Sequence, residues 1–198
     1  PILKACSLTI KMSERYVLLG SNGSGKTTLV KLLTTLYSPD EGEVIINGYN
    51  SSNDPEKIRE TIGYVGHNSL LYGDLTGYQN LKFFSKFYQN TDFDTQFEYL
   101  TRILNFSGLI NQKVAKLSHG EKKRLSIMKA MMSNPSLLIM DEPDSGLDVG
   151  SINNLTDNFF PNAINGNMTV FLTTHNSDFA LSVASTIGVL QSGKVKFQ

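Results

Sequence analysis

The chain has 198 residues, and its 18 lysines and arginines balance 18 aspartates and glutamates, so the net charge is zero at neutral pH. Zero net charge excludes a bulk electrostatic attraction to nucleic acid or to an anionic membrane surface, and the single cysteine, Cys6, excludes an internal disulfide framework. No apolar run approaches the roughly 20 residues of a membrane-spanning helix, and the start does not resemble a signal peptide. We therefore expect one domain with its own core.

The amino-terminal part of the chain predicts a strand, a glycine-rich loop and a helix. The apolar run from Tyr16 to Leu19 is typical of a buried strand, and the apolar spacing after Thr28 suits a helix. Between them, residues 20–28 match the phosphate-loop pattern G-x-x-x-x-G-K-[ST] at every required position. A chance match is the alternative, which the flanking strand and helix disfavour. Residues 2–10 are also strand-like, and because the chain starts at Pro1 we expect residues upstream of it.

The loop pattern carries a specific chemistry. A strand that turns into a helix directs several backbone N–H groups and the positive end of the helix dipole at one point, where an anion can bind. Glycines let the main chain approach the phosphates closely. By this chemistry Lys26 reaches the β- and γ-phosphates of a nucleotide, and the hydroxyl of Thr27 holds Mg²⁺.

The next segment predicts a small antiparallel element and another core strand. Residues 38–42 mark a turn, and residues 43–48 form a short strand closed by a second turn. Asp54 and Pro55 open a brief helix as its cap and first helical residue. Residues 61–65 then predict a core strand.

From Leu70 to about Ile110 the chain is rich in aromatic residues at helical spacing, without a strand signal between them. We interpret residues 67–116 as a helical insertion whose aromatic stripes form mainly its own core. The segment from Leu71 to Thr76 is the exception, because large apolar residues mixed with turn residues often mark a docking surface.

A further helix begins after Ser118, a natural cap, and Glu121 completes a capping-box pattern three positions later. Leu125, Met128 and Met132 share its buried face. We expect the basic residues of this helix to lie mostly on a solvated face; they are Lys122, Lys123, Arg124 and Lys129.

Residues 137–140 predict an all-apolar strand that leads directly into Asp141 and Glu142. A buried strand that delivers two carboxylates at its carboxyl end is how an open parallel sheet presents Mg²⁺-directed chemistry beside a phosphate loop. Asp141 is placed to hold the metal through water, and Glu142 to polarise an attacking water. A surface acidic pair is the alternative, although charges seldom follow a buried strand without a function.

The rest of the chain predicts a strand over residues 168–174 that ends at His175, and a terminal hairpin over residues 186–197. Strands that alternate with helices around a phosphate loop indicate an α/β fold. We expect a P-loop NTPase core with a mostly parallel sheet, a small antiparallel element and the helical insertion. Residues 1–66 and 117–198 would form the nucleotide-binding core of this single domain.

Five motifs in a fixed order narrow the family. After the phosphate loop come Leu117-Ser118-His119-Gly120-Glu121, then Asp141-Glu142-Pro143, then Ser145-Gly146-Leu147-Asp148, and then His175 after a strand. This order resembles the nucleotide-binding subunit of an ATP-binding cassette (ABC) transporter over essentially the whole chain. Residues 63–67 and 71–81 are similar to ATPases of the haem-exporter and ABC-2 type.

The resemblance implies that two such domains, expected to be identical chains, bind ATP and Mg²⁺ between them in a head-to-tail dimer. Glu142 would be the catalytic carboxylate, and His175 would contact the γ-phosphate and hold the attacking water in line. Ser118 and Gly120 would meet the γ-phosphate from the opposite domain, and Asp148 would link the two sites. The loop residues implied to bind the nucleotide are Ser21, Asn22, Gly23, Ser24, Gly25, Lys26, Thr27 and Thr28.

Some of these residues have simpler interpretations, or depart from the family's pattern. Taken alone, His175 would be interpreted as a structural histidine at a strand end, with hydrogen-bond partners for its ring. The order of the motifs favours the γ-phosphate contact instead. His67 stands where most members have a glutamine, and a neutral imidazole there would hydrogen-bond a water or meet the metal shell. His119 and Glu121 replace a glycine and a glutamine of the signature. The aromatic residue that stacks on adenine in the family falls before Pro1, which fits an incomplete amino-terminal strand.

The resemblance favours an ATP-hydrolysing subunit that drives a separate membrane permease, peripherally bound at the cytoplasmic face of the cell membrane through residues 67–78 and the insertion. An ABC protein acting on nucleic acid or the ribosome is a second hypothesis. We do not expect a nucleic-acid partner, because the second cassette, coiled coil or basic extension usual in such proteins is absent from these 198 residues. A nucleotide-binding regulator with little turnover is a third, because of His67 and His119.

Overall fold

The computed structural model describes residues 2–88, 91–165 and 168–197. The strands in these ranges are β1 (Arg15–Leu19), β2 (Ile45–Ile46), β3 (Tyr49–Asn50), β4 (Ile62–Val65), β5 (Leu137–Asp141), β6 (Thr169–Thr174), β7 (Thr186–Gln191) and β8 (Lys194–Phe197). The helices are α1 (Lys26–Leu33), α2 (Pro55–Thr61), α3 (Gly77–Phe87), α4 (Phe93–Ile103), α5 (His119–Met131), α6 (Val149–Asn154), α7 (Phe160–Asn165) and α8 (Ser177–Val183). A 3₁₀ turn lies at Val114–Lys116, and a π-helical segment, Leu155–Phe159, joins α6 to α7.

A six-stranded sheet organises the molecule in the order β4-β5-β6-β1-β7-β8. All neighbouring strands are parallel except the terminal β7 and β8, which form an antiparallel hairpin. β2 and β3 form a separate antiparallel pair. The predicted strands at residues 16–19, 61–65 and 137–140 all lie in the large sheet, because apolar runs of this kind are buried on both faces of a parallel sheet.

Alternate residues of the sheet face two hydrophobic clusters. Tyr16 and Leu18 of β1 belong to a cluster that α1 and α2 cover, whereas Val17 belongs to a cluster shared with α5 and α8. This division follows from the strand's period of two, which sends successive side chains to opposite faces. Both faces of the sheet are therefore covered by helices, as an α/β fold requires.

The described residues between 67 and 116 contain the helices α3 and α4, in keeping with the predicted helical character of this segment, and these helices contact each other and α5. Leu81 of α3 and Leu100 of α4 are fully buried in the same cluster as Leu125 of α5. α5 therefore packs on the insertion as well as on β4, and the domain boundary at residue 116 stays a prediction. The aromatic stripes are divided, since Phe93 is buried whereas Phe87 is exposed.

Residues 2–10 do not form a strand, contrary to the sequence prediction. Leu3, Cys6 and Leu8 pack against the hydrophobic cluster around Tyr16, which accounts for the strand-like pattern. A strand also needs a ladder of backbone hydrogen bonds. Among the described residues, this segment makes one backbone bond, from the N–H of Lys4 to the carbonyl of Gly193 at 2.8 Å.

The prediction of a mostly solvated basic face on α5 is wrong for two of its lysines. Lys123 is 4% exposed and Lys129 is 6% exposed. The Lys123 ammonium donates to the carbonyl of Gly66 at 3.3 Å, and that of Lys129 donates to the carbonyl of Ser69 at 3.0 Å. The loop after β4 covers both side chains, a tertiary contact that helical periodicity cannot indicate.

Candidate functional site

Three neighbouring parallel strands bring the predicted site residues to one edge of the sheet. Leu19, the last residue of β1, is paired with Thr174 of β6, and Asp141 of β5 is paired with Thr173. The carboxyl ends of β5, β6 and β1 therefore lie side by side. The N–H of Gly20 donates to the carbonyl of Thr174 at 3.2 Å, which fixes the start of the glycine-rich loop beside β6.

The glycine-rich loop leads into α1, whose first turn has no capping side chain. Gly25 is the N-cap of α1 and makes no side-chain cap hydrogen bond, so the first-turn N–H groups keep their capacity for an anion. Gly23 and Gly25 have left-handed backbones, with φ of +75° and +108°. The left-handed backbone favours glycine at position 25, and a Cβ there would also lie 3.0 Å from Cγ2 of the exposed Ile2, which would have to shift.

A cavity of about 360 Å³ lies at this helix start. It is lined by Asn22, Gly23 and residues 25–28 of the loop and helix, together with Ile2 and Glu142. Ser21 is exposed, and the hydroxyl of Ser24 is buried without a hydrogen-bond partner among the described residues. Six of the eight predicted loop residues thus line one cavity.

Lys26 is the cationic centre of this cavity, although it is only 4% exposed. Its ammonium donates to the carbonyls of Gly20 at 2.7 Å and Ser21 at 3.1 Å, and lies 3.1 Å from Oε1 of Glu142. Three oxygen acceptors compensate the buried charge. Lys26 is also one of the residues that line the cavity.

Glu142 joins the loop to the end of β6. Its Oε1 pairs with Lys26, and its Oε2 lies 3.5 Å from Nδ1 of His175. The backbone of Glu142 is left-handed, with φ of +47°, which is uncommon for a residue with a side chain. Its N–H donates to both the carbonyl and the hydroxyl of Thr173, each at 3.1 Å, and these bonds hold the conformation.

Asp141, the residue before Glu142, is buried. Its Oδ1 accepts from the hydroxyl of Thr173 at 2.7 Å. Thr27 is exposed at the cavity, one residue after Lys26. In the described ranges there is no cluster of three or more His, Cys, Asp or Glu side chains that could hold a metal by themselves.

Asp144 is a buried carboxylate that the sequence analysis did not single out. Its Oδ2 accepts from the hydroxyl of Thr174 at 3.0 Å, and its Oδ1 lacks a hydrogen-bond partner among the described residues. Burial raises the pKa of this carboxyl, with the Thr174 bond opposing the rise. The Thr174 hydroxyl also accepts from the N–H of Asn176, so Asp144 braces the turn that carries His175.

Ser118, Gly120 and Asp148 form a second group that does not line the phosphate-loop cavity. Ser118 caps α5 with the predicted capping box: its hydroxyl accepts from the N–H of Glu121 at 3.2 Å, and Glu121 Oε2 accepts from the N–H of Ser118 at 2.7 Å. Asp148 caps α6 by accepting from the N–H and hydroxyl of Ser151, and these bonds lower the pKa of its carboxyl. A Cβ on Gly120 would lie 3.7 Å from Asp148 Oδ2.

His67 stands apart from both groups. It is exposed at the start of the loop after β4 and does not line the phosphate-loop cavity. The structure therefore brings together residues 22, 23 and 25–28 with Glu142 and His175, and leaves the α5 and α6 caps as a separate surface.

Comparisons with known proteins bear on this arrangement. A family model described as ABC transporter matches residues 3–145. The ABC transporter ATP-binding protein YdbJ of Bacillus subtilis (strain 168) is 32% identical over 195 residues, covering 98% of this chain and 63% of that protein. The linearmycin resistance ATP-binding protein LnrL of the same organism is 32% identical over 197 residues, with coverage of 98% and 63%. The chain thus spans a little under two thirds of the length of these relatives.

The fold of this chain also resembles that of a solved structure. The dimeric structure of a post-hydrolysis state of the ATP-binding cassette MJ0796, bound to ADP and Pi, superposes with a TM-score of 0.88 at 26% identity. The match covers 98% of this chain and 88% of that chain. It confirms the predicted P-loop NTPase fold.

Proposed function

This chain belongs to the ABC transporter family, and we propose on that premise that it binds and hydrolyses ATP to drive a separate membrane subunit. The observation that carries the proposal is the meeting of an uncapped, glycine-rich helix start with Lys26, Glu142 and His175 at one sheet edge. Helix N–H groups and an ammonium are the donors that a triphosphate requires. The carboxylate and imidazole beside them are the groups that activate and align a water.

In this proposal Glu142 is the general base. A triphosphate in the cavity competes for the Lys26 ammonium, because phosphate oxygens and the Glu142 carboxylate are alternative partners of the same charge. Released from that pair, Glu142 can accept a proton from the attacking water. His175, which lies next to Glu142 Oε2, orients that water and contacts the γ-phosphate.

Mg²⁺ fits the residues at this site. The ion usually takes one or two protein oxygen ligands and completes its shell with substrate phosphates and water. The exposed hydroxyl of Thr27 and the carboxylate of Asp141, whose Oδ1 is oriented by Thr173, are the ligands we propose. The bound ion would neutralise charge that develops on the β- and γ-phosphates.

We further propose that two copies of this chain form a head-to-tail dimer. Ser118 and Gly120 lie at the start of α5, where helix N–H groups favour an anion, yet they do not line the cavity of their own chain. A second copy would bring them to the γ-phosphate, with Asp148 between the two sites. The dimeric state of the solved cassette supports this arrangement.

The partner we propose is a permease, bound from the cytoplasmic face, in a system of the haem-exporter or ABC-2 type. In the described parts of the chain, every helix is too short or too polar to cross a membrane. Residues 67–78 and the helical insertion would contact the permease. Leu70 and Tyr72 in this region are exposed, with 67% and 51% of their surfaces accessible.

The test is steady-state ATP hydrolysis by the Glu142→Gln variant. The substitution keeps the shape of the side chain and removes its basicity, so turnover should fall by at least 100-fold, within the range of lost general-base catalysis. Glu98→Gln, which changes an exposed acid on α4, serves as the control and should hydrolyse ATP at the wild-type rate. Undiminished hydrolysis by Glu142→Gln would refute the assignment.

A further inference from the structure

Two buried groups of opposite charge lie near the carboxyl edge of the sheet and do not line the phosphate-loop cavity. Lys123 of α5 is 4% exposed, and Asp144, in the turn between β5 and α6, is 7% exposed. A buried charge is costly unless hydrogen bonds or a partner charge offset the cost. The contacts of each side chain therefore show whether that cost is met.

The ammonium of Lys123 has few partners. Among the described residues it makes one hydrogen bond, to the carbonyl of Gly66 at 3.3 Å, which is longer than a typical N–H···O hydrogen bond. An ammonium has three donors, so two remain for other acceptors. In the described parts of the chain, no carboxylate lies within ion-pair distance of this ammonium.

The register of the sheet places Lys123 close to the carboxylates that follow β5. Val65 of β4 is paired with Met140 of β5, and Gly66 and Asp141 are the next residues along the two strands. The Gly66 carbonyl thus holds the ammonium at this edge. Burial lowers the pKa of Lys123, and the charges of three carboxylates oppose that fall; they belong to Asp141, Asp144 and Glu142.

Asp144 is the complementary group. Its Oδ2 accepts from the hydroxyl of Thr174, whereas its Oδ1 is buried without a hydrogen-bond partner among the described residues. A buried carboxylate oxygen is destabilising until a donor reaches it. Because the Thr174 hydroxyl also accepts from the N–H of Asn176, a displacement of Asp144 would be transmitted to the turn that carries His175.

We propose that Lys123 and Asp144 form an ion pair when ATP joins two copies of this chain, and that the pair couples α5 to the turn that carries His175. The inference rests on the proposed function, because it takes the start of α5 as the surface that meets the nucleotide of the second copy. Lys123 lies in the first turns of α5, so a displacement of the helix start moves its ammonium.

The exchange of partners favours the joined state. Lys123 would leave a long bond to a neutral carbonyl for a bond to the charged Oδ1 of Asp144. A pair that forms only when two chains are joined stabilises that state relative to the separate chains. Lys123 and Asp144 are then positioning residues, which act on hydrolysis through His175.

A double-mutant cycle on steady-state ATP hydrolysis tests the pair. Lys123→Met removes the ammonium, and Asp144→Asn removes the charge but keeps an oxygen for Thr174. Each should lower kcat about 10-fold, and the KM for ATP should change less than about twofold, because neither residue lines the phosphate-loop cavity. The double variant should also lose about 10-fold, since either change alone abolishes the pair. A loss of about 100-fold would show independent effects and refute the pair.

A matched control and a second condition separate this pair from a fixed structural contact. Lys122→Met, on the same helix but partly exposed, should hydrolyse ATP near the wild-type rate and should not alter the effect of Asp144→Asn. Without nucleotide, the two single-variant shifts in melting temperature should add in the double variant. Coupling of equal size with and without ATP would mean a permanent contact and would overturn the inference.

A measurement that keeps both side chains covers the case in which a variant does not fold. In the Glu142→Gln chain labelled with ¹⁵N-lysine, the ammonium resonance of Lys123 is assigned by its loss in Lys123→Arg. We expect it to shift, and its exchange with water to slow, when ATP and Mg²⁺ are added. An unchanged resonance in a chain that has dimerised would contradict the inference alone. A wild type that neither hydrolyses ATP nor dimerises would refute the proposed function, and this inference with it.

Discussion

At the scale of single residues, the candidate site is built from side chains that the backbone holds in unusual positions. Glu142 adopts a left-handed conformation that two bonds to Thr173 maintain. Lys26 is buried but has three oxygen acceptors around it. The sequence predicted a role for both residues, because Lys26 belongs to the phosphate-loop pattern and Glu142 follows a buried strand. It could not indicate that they pair with each other, since they are 116 positions apart in the sequence.

The burial of Lys129 and Asp144 could not be predicted from the sequence. Lys129 has the helical spacing of a surface lysine, and only the loop that carries Ser69 buries it. Asp144 belongs to no recognised pattern, and its burial depends on β6, whose Thr174 bonds to it. In both cases the decisive contact comes from a segment distant in sequence, and no local pattern reports it.

The buried ammonium of Lys129 predicts a pH-dependent stability difference. Its pKa is about 8 in the folded chain against 10.5 for an ordinary lysine, so between these values the unfolded chain binds more protons and the wild type gains stability as pH rises. Below pH 8 the folded wild type bears the full cost of burying the ammonium, and the unfolding free energy of Lys129→Met should exceed that of the wild type by about 3 kcal/mol.

Denaturant unfolding of both proteins between pH 7 and pH 10.5 measures this difference, which should shrink as pH rises. The other titratable or charged residues that line the same cavity as Lys129 are Arg59, Tyr64, Tyr72 and Tyr88. They are common to both proteins, so the difference isolates Lys129. A difference that stays constant across this range would contradict the buried-charge account.

At the scale of elements, the strands of the large sheet and the helices α1, α2 and α5 were predicted from the sequence. The starts of the other helices were not predicted, and the strand predicted for the amino-terminal segment is wrong. Apolar runs placed β1, β4, β5 and β6 correctly, because buried parallel strands carry a strong composition signal. Residues 2–10 carry a similar signal but lack a ladder of backbone partners. The capping box of α5 was predicted, and a second one at Thr76 and Gln79 was missed although it has the same spacing.

The start of α5 predicts a separation of stability from activity at Ser118. Ser118→Ala removes the hydroxyl that accepts from the N–H of Glu121 and should cost about 1 kcal/mol of unfolding free energy. Ser118→Asp keeps the cap and should unfold near the wild-type denaturant midpoint. Both should reduce ATP hydrolysis if Ser118 meets the γ-phosphate, the aspartate most, because it adds negative charge beside the nucleotide.

Denaturant melts and steady-state ATPase rates of the two variants provide this comparison. A Ser118→Asp variant with wild-type hydrolysis would limit Ser118 to its capping role. Parallel losses of stability and activity in Ser118→Ala alone would lead to the same conclusion.

At the scale of the whole molecule, one chain presents two surfaces that are separate within it. The phosphate-loop cavity holds Lys26 and Glu142, and the α5 and α6 starts hold Ser118 and Asp148 elsewhere. The resemblance to ABC transporter subunits implies that a second chain joins these surfaces, and this stays a proposal. The structure supports the proposal, because Ser118 and Asp148 do not line the phosphate-loop cavity of their own chain.

The central claim is that ATP joins two copies of this chain through those surfaces. Light scattering coupled to size-exclusion chromatography of Glu142→Gln, with and without ATP and Mg²⁺, tests it most directly. We predict a monomer without nucleotide and a dimer with ATP, and a return to the monomer when Ser118→Asp is added to Glu142→Gln. A Glu142→Gln protein that binds ATP and stays monomeric, or that forms the same dimer without nucleotide, would contradict the account.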